Sequence, residues 1–262
     1  MNYFFGIKNS FLNSKLTIPR FQNSNPTKKE YMLFQLEIIN QSWKISNLNN
    51  IDSNNDFFKI DSDLIDNENI FCLATKAEIL ELEKNNYSKL VNFNNFTDTN
   101  PEYRANLQVS IEGGGFSSYQ SDYPFSMVTK KGSILSALSS LCNKNADQNI
   151  IFFKNIYELP IQEEFCVFFV NIKTMKVLKK EVVSTNFLNE IIVEKEFIKP
   201  EVFLFTDKYV GIPIFCSIKD KHISLEHSHP PHTYIMSDHK FRVVTKLKGD
   251  VSEIINSQDI QD

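Results

Sequence analysis

"NIIFFKNIYELPIQEEFCVFFVNI", residues 149–172, decides what kind of chain this is. Two runs rich in Ile, Val and Phe flank a polar break that carries a proline, and β-branched and aromatic side chains suit a pleated surface, so both runs read as strands. Downstream the pattern repeats in "MKVLKKEVV", "NEIIVEKEFI", "EVFLFT", "YVGIPIFCSI", "HISLEHSH" and "FRVVTKL". Breaks every 8 to 12 residues or so favour antiparallel pairing over alternating βαβ units. The fold class that follows is mostly β, a β-rich α+β chain built as an antiparallel sandwich, jelly roll or barrel with one or two short helices.

Upstream of this region, "NLQVSIE" (106–112) alternates Leu107, Val109 and Ile111 with polar residues, as a half-buried strand does. "SILSALSSLCNK", starting at Ser133, sets Ile134, Leu135, Leu138, Leu141 and Cys142 on one helical face and predicts a short helix capped by Ser133. Residues 1–98 mix short apolar runs with Asn- and Ser-rich spacers. One helix is predicted there, because Thr75 and Glu78 form a capping box ahead of "KAEILELEKNNYSKL". "NFNNFTDTNP", ending at Pro101, marks a candidate boundary or a long surface loop. The chain divides accordingly into an N-terminal β-rich region (1–98), a main antiparallel β domain (99–250) and a polar C-terminal tail (251–262).

Composition removes several function classes. Twenty-eight basic against 32 acidic residues give a net charge of −4, with no basic block of the kind that releases many counterions from a nucleic-acid backbone. No nucleic-acid partner is expected. Cys72, Cys142, Cys166 and Cys216 are widely spaced, without zinc-ribbon pairs or a disulfide framework, and read as buried reduced thiols. A secretory leader and an apolar run of about 18 residues are both missing, so the expectation is a cytoplasmic protein with no membrane partner.

All five histidines, His222, His227, His229, His232 and His239, fall within residues 222–239. In "HISLEHSH" a period of two puts Ile223, Leu225, His227 and His229 on one face and His222, Ser224, Glu226 and Ser228 on the other. Pro230 and Pro231 end the strand and turn the chain so that His232 can approach the same centre. Neutral imidazoles on a sheltered face are ligands for a divalent metal ion such as Zn, Fe or Mn, with Glu226, Asp238 or His239 as a further ligand or proton carrier. Without metal, the same imidazoles serve as acid or base near neutral pH. Their structural alternative is a set of polar side chains satisfied by backbone carbonyls.

The H-x-H pair on a strand resembles the ligand pair of cupin-type barrels, whose metal sites lie inside small β-barrels. The resemblance covers only these residues. "PPHTYI" follows His229 where that pattern has a glutamate, and no Gly-Pro-His motif occurs downstream.

"IEGGGFSSYQSDYP" combines Gly113, Gly114 and Gly115 with Ser117, Ser118, Tyr119, Gln120 and Asp122. Glycines let a ligand approach the backbone, and successive N–H groups can form an anion nest; the plainer reading is a hairpin whose glycines supply positive φ. There is no P-loop, no dinucleotide fingerprint and no nucleophile elbow. Arg104, one of only three arginines, offers a bidentate fork for a carboxylate or phosphate, or else pins the start of its strand. These features together predict a metal-dependent enzyme acting on a small polar substrate, such as a sugar derivative, bound between the histidine segment and the glycine loop. The alternative is a non-catalytic β-sandwich module that binds carbohydrate or protein.

Overall fold

A computed structural model describes residues 2–20, 31–48, 51, 56–84, 105–120, 134–206, 208–209, 211–227 and 236–258. Sixteen strands and three α-helices lie among them. In the first half these are β1 (Asn2–Phe4), β2 (Leu12–Pro19), β3 (Met32–Ile39), β4 (Ser42–Asn47), β5 (Phe57–Ile60), β6 (Ile70–Ala74), α1 (Lys76–Glu83), β7 (Asn106–Ile111) and β8 (Phe116–Gln120). The second half holds β9 (Ile134–Ala137), α2 (Leu138–Leu141), β10 (Gln148–Lys154), β11 (Glu164–Asn171), β12 (Lys176–Ser184), β13 (Leu188–Ile192), β14 (Val202–Thr206), β15 (Ile212–Lys219), β16 (His222–His227) and α3 (Lys240–Gln258).

Four four-stranded antiparallel sheets result, ordered β1-β6-β3-β4, β5-β2-β7-β8, β13-β10-β15-β16 and β12-β11-β14-β9. Among the described residues no sheet closes into a barrel, and the layered sandwich is the form the β-rich chain takes. The place of β10 in the third sheet explains why 150–153 reads as an unbroken apolar run: this strand is buried on both faces. Ile150 and Phe152 of β10, with Ile214, Cys216 and Leu225, join a first core shared with Leu16, Leu107, Leu33 and Phe71 of the first two sheets. Ile151, Phe153 and Phe215 point the other way, into a second core with Phe165, Val167 and Phe169 of the fourth sheet. On that sheet's outer face, Phe168, Val170 and Phe205 are covered by Val251, Ile254 and Ile255 of α3.

Two expectations are corrected. Ser133, the expected cap, lies outside the described residues; within the helix predicted from it, Ile134–Ala137 is a strand paired with β14 through Leu135↔Phe205 and only Leu138–Leu141 is helical. Its apolar spacing fits both periods, and burial of Leu135 beside Phe205 decides for the strand. "FRVVTKL" is the start of α3, not a strand, because Val244, Leu247, Val251, Ile254 and Ile255 recur at helical spacing and all turn inward. The stripe becomes visible only when the run is read beyond residue 250. By contrast, the Thr75–Glu78 capping box at α1 is present in both directions. All four cysteines are free, and burial pushes the Cys142 and Cys216 thiols up to about 12.

A candidate site at the seam of β8 and β16

β16 pairs with β15 along one edge, and its other edge lies along β8. At one end of this seam the Gly115 N–H donates to the Lys221 carbonyl (2.9 Å). Towards the other end Tyr119 and His227 meet edge to face, their ring centroids 5.1 Å apart. The two contacts align the strands in one direction and bring the histidine strand and the glycine hairpin together.

The alternation read from "HISLEH" is present. Leu225 is buried in the first core with Ile223 packed against it, and His227, on the same side, is half-buried; His222, Ser224 and Glu226 are exposed on the other. On β8, Tyr119 is buried in the first core and Ser117 is half-buried beside it in the alternation, while Phe116 and Ser118 stand outward, Phe116 at 65 % exposure. Gln120 closes the strand.

The glycine triplet is a tight hairpin turn. The Gly114 N–H donates to the Ile111 carbonyl (3.0 Å), and Gly113 at the turn's third position has φ +63°, which supplies the left-handed geometry the hairpin reading expects. The Gly114 and Gly115 N–H groups are engaged by the Ile111 and Lys221 carbonyls, as the hairpin reading has it, so these two are not turned to an anion. Gly114 is set by close approach: a Cβ there would lie 2.8 Å from the Lys221 carbonyl oxygen.

Glu226 stands on the side of β16 opposite His227. Asp238 and His239 lie exposed in the turn before α3, where the His239 N–H bonds Ser237 Oγ (3.1 Å) and its carbonyl accepts from Val243 (3.0 Å). Arg104, Asp122, His229 and His232 lie outside the described residues. Among the described residues no three His, Cys, Asp or Glu side chains gather as a metal-ligand set.

Two features escaped sequence reasoning. One is the β15–β16 turn, where Asp220 and Lys221 both adopt positive φ (48° and 64°) and so present the Lys221 carbonyl to the hairpin. Without a glycine in "KDKH", nothing in the sequence advertised it. The other is an open cleft of about 380 Å³ bordered by Leu48, Ile51, Lys59, Asp61, Asp63 and Leu64, none of them a residue of the seam. Its Asp61 is tied to Lys15 (2.9 Å), and no motif marks its walls.

The seam offers a half-buried imidazole beside a buried tyrosine ring, next to a hairpin whose outward side carries the Phe116 ring and the Ser118 hydroxyl. Imidazole as a chemical group is able to act as acid or base or to donate a nitrogen to a metal. Comparison with protein-family models, with curated proteins and with solved structures finds no match. What the fold and seam show is a layered antiparallel β-sandwich, backed by α3, with a histidine–tyrosine pair where two sheets meet.

Proposed function

We propose that the protein is an enzyme for a small polar substrate, a sugar derivative, bound at the β8–β16 seam. His227 is its central group, as acid or base or as the first ligand of a divalent ion completed by His229 and His232. The observation that carries this reading is the edge-to-face contact of Tyr119 with His227. It brings together the two segments that chemistry singles out in the sequence and leaves the imidazole half-buried, sheltered yet open to solvent. Of the carboxylates expected as a fourth ligand, Glu226 fits less well because it faces away.

The test is metal analysis of the purified, untagged protein before and after loading with Zn, Fe or Mn, paired with His227→Ala and a thermal melt. Stoichiometric metal lost from a variant that still melts cooperatively supports the metal form. No metal under any loading, together with sugar binding unaffected by His227→Ala, overturns the enzyme reading.

A second reading is favoured by Phe116. A large aromatic 65 % exposed on the hairpin, on the same outward side as Ser118, is a stacking surface with a polar neighbour. That arrangement suits a non-catalytic carbohydrate-binding module, and loss of sugar binding in Phe116→Ala with His227→Ala inert distinguishes it.

A further inference from the structure

The outer strand of the first sheet, β4, has a free edge. Its turn with β3, Asn40 and Gln41 at φ 51° and 56°, is the two-residue kind that closes on a hydrogen-bonded pair, Ile39 with Ser42. Pairing alternates from there, so Ser42, Lys44 and Ser46 direct their backbone groups to β3, and the Leu48 N–H, next in step, donates to the Leu33 carbonyl (3.0 Å). Trp43, Ile45 and Asn47 therefore turn N–H and C=O outward, and among the described residues nothing bonds those groups. Other edges differ: β8 lies along β16, β12 adjoins β13 with the Lys179 ammonium on the Ile192 carbonyl (3.1 Å), and β1, β5 and β9 are three or four residues long.

Sheets guard an edge with a proline, a bulge or a lysine. β4 has no proline, its register with β3 is unbroken, and Lys44 is drawn back over β3 by Glu37 (2.8 Å). On the other face Trp43 and Ile45 pack against the first core yet stay half-buried. A second copy of β4, laid antiparallel about a two-fold axis, matches this edge in one register best. With the axis at Ile45, that residue faces Ile45 of the partner subunit and Trp43 faces the partner's Asn47, for about six backbone hydrogen bonds. Lys44 then stands opposite the partner's Ser46. An axis at Lys44 opposes two ammonium groups, and an axis there or at Ser46 leaves only about four of those bonds. The register at Ile45 uses every outward backbone group, opposes no like charges and covers the half-buried Ile45.

We propose that the protein forms a two-fold dimer through β4, joining the first sheets of two copies into one continuous sheet. The test is sedimentation velocity of the full, untagged chain from about 1 to 200 µM. Mass rises with concentration from 30.4 kDa to twice that value and stops there, because two-fold pairing occupies both edges. Ser46→Lys sets like charges across the axis at two symmetric places and raises the dissociation constant about tenfold, whereas Ser46→Glu lowers it. Ile45→Pro removes the central outward N–H without breaking a bond to β3 and leaves monomer. Circular dichroism of dilute samples checks that each variant keeps the wild-type fold; if Ile45→Pro loses it, the Ser46 pair decides alone. Monomer at every concentration overturns the proposal and leaves the edge to an extended segment of another protein. So does growth beyond the dimer, or a dimer indifferent to both Ser46 variants, which would join through a different face.

Discussion

Lys154 ends β10 on the side that faces the first core, and its side chain is fully buried. Its ammonium donates to the carbonyls of Asn67 and Asn69 (3.0 Å each), tying the third sheet to the turn that leads into β6. Desolvation pulls its pKa from 10.5 down to about 7, although Asp66 and Glu68 act in the opposite direction. Between those two values the unfolded chain holds a proton that the folded chain has released. Stability therefore rises as pH climbs through this interval, by roughly 5 kcal/mol in the limit, and is lost as pH falls back towards 7. Lys154→Met removes that slope while leaving two carbonyls without their donor, a cost of about 1–3 kcal/mol. Urea unfolding at several values between about pH 7 and pH 10 should give a steeper rise for wild type than for the variant. Parallel curves would mean that the amine keeps its proton in the fold. At this scale the sequence was only partly legible: the period of two placed His227 inward, but a lysine in an apolar run gives no hint of which backbone oxygens receive it.

Between elements, the hairpin and the β15–β16 turn are held together by backbone contact, which makes a sharp distinction between neighbouring glycines. A methyl at Gly114 meets the Lys221 carbonyl oxygen at 2.8 Å, whereas at Gly113 the nearest atom is the mobile Lys221 ammonium at 3.9 Å. Gly113→Ala thus costs mainly the positive-φ strain, about 1 kcal/mol. Gly114→Ala forces the hairpin off β16 at about 1–3 kcal/mol and draws Tyr119 away from His227. Chemical denaturation ranks the two costs, and the assigned His227 imidazole resonance should move only in the Gly114 variant. A larger loss at Gly113, or an unmoved resonance, would break this account of the seam. The same scale explains what sequence reading found and missed. α1 was legible because its capping box is local, and β7 because its alternation is complete. β9 and α3 were not, since partners far away in sequence, Phe205 for the one and the fourth sheet's outer face for the other, choose between periods that a short window leaves open.

Across the whole molecule, the third sheet determines how the layers respond to heat or denaturant. Phe152 and Phe153 are adjacent and both fully buried, yet one belongs to the core shared with the first two sheets and the other to the core shared with the fourth. No layer can leave without exposing one face of β10. This is the feature least visible in the sequence, where "NIIFFK" shows burial but not that two separate cores claim alternate residues. Trp43, the single tryptophan, reports from the first sheet, where it packs against the first core and donates its indole N–H to the Glu158 carbonyl (3.3 Å). Its fluorescence and the far-UV circular dichroism of the whole chain should therefore trace one coincident transition. Phe152→Ala and Phe153→Ala should each lower stability by about 3–5 kcal/mol, and each should shift both signals equally despite emptying different cores. If Phe153→Ala moved the dichroism while leaving the Trp43 transition in place, the fourth sheet and α3 would unfold as a separate unit, and the third sheet would be a contact surface between two bodies instead of the structural centre of one.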